Sequence, residues 1–255
     1  MRSPLLALVS GALASVLFAG VAHAAPPAYS PVLTDNPIHK TGRFDLRECK
    51  EQPVDSGDLD AARVYLEFLL DCMNTTWSSQ LAKAKIPFSK PRFGVIAKPG
   101  ARTRCGAFPK GAQALYCPVD RKITFLLDEA ILEEPFELFL MAVMAHEYGH
   151  HVQYLTGVLK VADRVKGKSK TRILDESRRV ELQAECYAGG FIGSVWRSLG
   201  RGDFDFRYIV KTAQNGYDFA THGKAANVGY WLKRGFDAES PDSCNTWKAP
   251  KSRVS

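Results

Sequence analysis

Residues 144–153 read MAHEYGHHVQ and hold three of the chain's six histidines. His146 and His150 are four apart. On a helix that spacing stacks them on one face, one turn apart. Two imidazoles so placed can hold a single Zn²⁺, and Glu147, beside the first, can face the metal-bound water as general base. The preceding run, FELFLMAVMA, is almost wholly apolar. It buries the helix and argues against solvated surface histidines. His151 lies about 100° further round and reads as a structural or rim group. Gly149 lets backbone or substrate come close. Tyr148 and Tyr187 stand open between oxyanion donors and packing residues.

A catalytic zinc wants three protein ligands and an open position for water. The longer zincin signature would place Gly at 153 and His at 156, but the chain has Gln153 and Thr156. The next helical segment, RRVELQAECYAGG, carries Glu181 and Glu185 one turn apart. Such a pair commonly marks an exposed face. Here Leu182, Ala184, Ala188, Gly189 and Gly190 surround it and permit close helix approach. The expectation is a His₂Glu site between two antiparallel helices, with Glu181 as third ligand. Glu185 takes the N–H of a ligand histidine.

HEYGHHVQ followed by VELQAECYAGG resembles the putative neutral zinc metallopeptidase family. That family is a branch of the gluzincins, similar in site logic to thermolysin-type enzymes. CPVDRKITFLLD resembles the segment before its metal helix, and THGKAANVGYWLKRGF its C-terminal segment. The likeness runs from roughly Cys105 to Trp247. Family members usually carry Asp where this chain has Glu185. The resemblance implies a zincin-like fold, one zinc ion and a polypeptide substrate. It also makes KITFLL a candidate edge strand that binds substrate by strand addition; an ordinary core strand is the alternative. His222, in the matching Thr-His-Gly stretch, becomes the candidate donor that completes an oxyanion hole. A helix-capping or surface histidine is the competing reading.

The elements around these residues bound the rest. MRSPLLALVSGALASVLFAGVAHA has Arg2, an apolar run from Leu5 to Ala22, and Ala22-His23-Ala24 at its end. This is a secretory signal pattern, with cleavage expected after Ala24 and an uncleaved anchor as the alternative. No stable membrane insertion is expected after cleavage, so the protein is secreted or held in the cell envelope. Six cysteines in an exported chain suggest disulfides. Chain order favours Cys105–Cys117. Local pairing and elimination then leave Cys49–Cys72 and Cys186–Cys244. The net charge is +7, concentrated in KVADRVKGKSKTR, 160–172. That run lacks interleaved aromatics and reads as a solvated loop, with no nucleic-acid partner.

Residues 25–57 are Pro-rich and aperiodic and read as an extended lead-in; 58–255 are expected to form the zinc metallopeptidase domain that the resemblance implies. Within it, helical spacing runs from Leu59 to Leu81, with Asp58 as N-cap. Short strands are expected in PRFGVIAKPG and DRKITFLLDEA. Further helices span about Pro135–Leu155 and Ile173–Leu199, stopped by Gly157 and Gly200. One or two more follow, broken near Gly223. The fold class is α+β, helices packed beside a small sheet, with the metal site between two helices. The function expected is that of an exported zinc metallopeptidase. A zinc amidohydrolase acting on a cell-wall cross-link is one rival. A secreted binding protein with a structural zinc is the other, and Glu147 argues against it.

Overall fold

The computed structural model describes residues 29–133, 137–164, 166–216 and 219–255. The expected signal segment, 1–24, and the helix start at Pro135 lie outside these residues.

Described elements follow in chain order. A turn of helix, α1 (Pro31–Thr34), and a 3₁₀ turn (Pro37–Lys40) precede the long α2 (Leu59–Lys83). Five strands come next: β1 (Arg92–Ile96), β2 (Arg102–Thr103), β3 (Gly106–Ala107), β4 (Ala114–Cys117) and β5 (Lys122–Leu126). Helices follow: α3 (Glu129–Glu133), α4 (Glu137–Leu155), α5 (Val158–Ala162), α6 (Lys170–Leu199), α7 (Asp203–Asn215), α8 (Phe219–His222) and α9 (Ala225–Ala238), and then three short 3₁₀ turns between Pro241 and Arg253.

Local chemistry sets these boundaries. Asp58 accepts the Ala61 N–H and caps α2, an interaction worth about 1 kcal/mol. Ser169 does the same for α6 through the Arg172 N–H. Gly157 and Gly200 sit at φ +80° and +65° just past α4 and α6, where L residues are strained.

Helix α4 is the centre of the molecule. Its apolar residues, among them Leu138, Met141, Met144, Ala145 and Val152, are buried. It packs on α2, on the sheet through β4, and on α6, while α6 packs on α9. The last contact is intimate: a Cβ on Gly235 would lie 1.9 Å from the Cys186 carbonyl oxygen. No helix of the described residues is long and apolar enough to cross a membrane.

Two sequence expectations need correcting. The segment 29–57 is more than extended chain: it forms two helical turns and buries Leu33, Ile38, Phe44, Cys49 and Val54. KITFLL is not an edge strand. The main sheet has the order β1-β5-β4, so β5 is central, parallel to β1 and antiparallel to β4. The edges are β1 and β4, and β4, just before Cys117, is the one that lines the cleft described below. Three disulfides staple the fold: Cys49–Cys72, Cys105–Cys117 and Cys186–Cys244.

Candidate metal centre

The site lies where α4, α6 and α8 meet. Gly149 is the reason α4 and α6 meet so closely. A Cβ there would stand 2.9 Å from both the Ala184 Cα and carbonyl oxygen. The neighbouring turns therefore face each other, bringing His146 and His150 against Glu181 and Glu185. We expect Gly149→Ala to force the helices apart and to cost about 1–3 kcal/mol. Zinc affinity should fall with it. Denaturation midpoints and zinc titration of the variant check both.

One carboxylate oxygen gathers three imidazoles. Glu181 Oε2 lies 3.3 Å from His146 Nε2, 3.1 Å from His150 Nε2 and 3.3 Å from His222 Nε2. His146 Nε2 and His150 Nε2 are themselves 3.2 Å apart. Among the described residues, His146, Glu181 and His222 form a group able to hold a metal ion.

Hydrogen bonds behind the rings fix which nitrogens are bare. His146 Nδ1 donates to Glu185 Oε2 at 2.8 Å. His150 Nδ1 donates to Gln153 Oε1 at 2.9 Å. The Gln153 amide nitrogen donates to the Val180 carbonyl and to Gln183, so its carbonyl oxygen must face His150. Neutral rings held this way present two lone pairs to each other across 3.2 Å, with a carboxylate oxygen beside them. That arrangement requires a cation between them, either a proton or a metal ion. Donors about 3.3 Å apart are also what a tetrahedral zinc with ligands near 2.0–2.1 Å demands. The residues present fit zinc.

The electrostatics agree. Burial opposes charge on His146, but Glu181 and Glu185 outweigh it and hold the imidazole well above its ordinary pKa. His150 is raised likewise, burial being outweighed by Glu181. Burial also opposes the Glu181 charge, yet the three imidazoles hold its carboxyl well below the usual range. Without metal the pocket traps a proton; a divalent ion satisfies the same demand.

Glu147, half-buried, points into a cleft of about 630 Å³ with His146, His150, Glu181, Glu185 and His222. Its Oε2 accepts the backbone N–H of Tyr116 at 2.6 Å. His222, at the end of α8, faces the same cleft, its Nε2 against Glu181. Gly223, at φ +83°, turns the chain after it. Tyr148 and Tyr187 are packing residues. Tyr148 is fully buried and donates to Asn74 Oδ1 at 2.9 Å. Tyr187 is buried against Trp77 and His39. Neither lines the cleft.

Sequence reasoning missed Gln153 and Tyr116. Gln153 had a signal: an amide side chain three residues after a candidate ligand, on the same helix and within reach of that histidine's ring. Tyr116 acts through its backbone, which no residue type announces.

The model of the putative neutral zinc metallopeptidase family matches residues 32–247. The chain belongs to that family. The chain is similar to the uncharacterized protein YpfJ of Escherichia coli. It is 30% identical over 210 residues, covering 74% of this chain and 72% of that protein. The uncharacterized protein Rv2575 of Mycobacterium tuberculosis is 27% identical over 255 residues, covering 86% and 82%. No solved structure matches the chain. The family match extends N-terminal to the motifs, into the stretch that buries Leu33 and Ile38.

Proposed function

We propose that the protein is an exported zinc metallopeptidase with a zincin-like site, in which His146, His150 and Glu181 hold one Zn²⁺. The observation that carries the reading is the convergence of bare Nε2 atoms and a carboxylate beside a second carboxylate, Glu147, in an open cleft. Zinc held by these residues would supply Lewis acidity and make a water nucleophilic near neutral pH. The three disulfides fit an oxidising compartment.

Glu147 acts as the general base. One of its oxygens is held by the Tyr116 amide. The other is left to take a proton from the attacking water and to pass it to the leaving amine. Glu185 and Gln153 keep the two ligand histidines in the tautomer that turns Nε2 to the metal.

The register of the sheet supports an extended polypeptide as substrate. Leu126 donates to the Gln113 carbonyl, and β4 pairs with β5 in continuous antiparallel register. Hydrogen-bonded pairs alternate in such a ladder. The backbone groups of Ala114 and Tyr116 therefore face the open edge, which lines the cleft. The Tyr116 N–H meets Glu147. Ala114 is left to pair with a substrate strand.

His222 donates to the oxyanion in this reading. His222→Ala should retain zinc and lower kcat by about 10²-fold with little change in KM. Zinc loss in that variant would instead make His222 a fourth ligand. The proposal as a whole is tested by hydrolysis of an unfolded protein substrate and of a cell-wall cross-link peptide, each with and without a zinc chelator. Chelator-sensitive cleavage of the unfolded protein supports it. Cleavage of the cross-link alone favours the amidohydrolase reading, and cleavage of neither rejects both.

A further inference from the structure

His151 follows a ligand histidine directly, yet it faces away from the metal centre and is fully buried. Both its nitrogens are engaged. Nε2 lies 2.7 Å from the Ser89 carbonyl oxygen, which can only accept, so Nε2 carries the hydrogen. Nδ1 is therefore bare, and the Tyr116 hydroxyl donates to it at 3.0 Å. Tyr116 belongs to β4, and its backbone N–H is the group bonded to Glu147 Oε2. Glu147 and His151 are four apart on α4, one turn along one face. A single strand residue is thus gripped at both ends by consecutive turns of the metal helix. Tyr154 lies parallel to the His151 ring, with centroids 6.5 Å apart, and closes the cluster.

We propose that His151 and Tyr116 form a brace that positions Glu147: His151 fixes the Tyr116 side chain, which fixes the β4 backbone, whose amide holds Oε2 and leaves Oε1 aimed into the cleft. This rests on the peptidase reading for the role of Glu147, but the brace itself is a matter of geometry. His151 touches neither metal nor substrate and is a positioning residue. Its Ser89 bond also anchors the chain that leads into β1, so helix and sheet cannot slide past each other. The edge strand that would receive a substrate is held in the same register as the base.

Two variants loosen the brace by different amounts. Tyr116→Phe removes the hydroxyl alone and keeps the ring and the backbone amide. His151→Phe keeps the bulk and removes both bonds. His151→Gln offers a donor and an acceptor again and should restore part of the loss. We expect kcat to fall by up to about 10²-fold in His151→Phe and less in Tyr116→Phe, with KM and zinc stoichiometry unchanged. A readout independent of activity is the Tyr116 amide proton in the NMR spectrum. A short bond to a carboxylate shifts it downfield, and it should move back toward ordinary values in His151→Phe. An unmoved Tyr116 amide, or loss of zinc in Tyr116→Phe, overturns the brace. A shifted amide with wild-type kcat also overturns the positioning role. If the amide moves in His151→Phe but the wild-type protein itself shows no peptidase activity, the brace stands and the peptidase reading fails instead.

Discussion

Replacing Glu147 by Gln is expected to leave one zinc per chain in place and to lower kcat by about 10² to 10⁴-fold. The amide has nearly the shape of the carboxylate and can still accept the Tyr116 N–H, so the fold has no reason to change. What it lacks is the ability to take a proton. Glu147 lies beside His146 without sharing in the gathering of nitrogens around Glu181 Oε2, so zinc retention should separate chemistry from binding. Turnover and metal content measured on the same preparation decide it. Near wild-type turnover with zinc bound would remove Glu147 as the base.

Glu181→Ala should have the opposite pattern: zinc is lost, and activity falls to background because the metal is gone. The carboxylate touches all three imidazoles, so its removal leaves their nitrogens facing one another without the one negative oxygen they share. In the wild-type chain, zinc at about 100 times its Kd should stabilise the fold by about 2.7 kcal/mol. In Glu181→Ala that response should largely vanish. Thermal unfolding with and without zinc reads it directly. A variant that still gains full stability from zinc would place the metal on other residues.

Much of this was legible in the residues because periodicity and ligand spacing are local properties. The H-E-x-x-H spacing and the Glu181–Glu185 interval each span one helical turn, and that interval alone puts each pair on one face. Glycines past the helix ends behaved the same way, since Gly157 and Gly200 adopt positive φ for reasons confined to the backbone. What was not legible depends on partners far along the chain. Whether KITFL is central or at an edge is decided by β4, a four-residue strand in a stretch whose Gly106, Pro109 and Gly111 disguise it. The burial of Leu33 and Ile38 escapes periodicity because each is an isolated anchor on a short turn. Tyr148 has the chemistry of an oxyanion donor, but its hydroxyl reaches Asn74 on α2. The closeness that makes the site, Gly149 against Ala184, needs both helices in view.

The claim at the centre is that two facing helices hold one zinc ion. Mass-spectrometric determination of metal per chain, on mature protein stripped and then reconstituted with zinc, tests it most directly. The arrangement of His146, His150 and Glu181 predicts one tightly held zinc per chain. A stoichiometry near zero after reconstitution would contradict it.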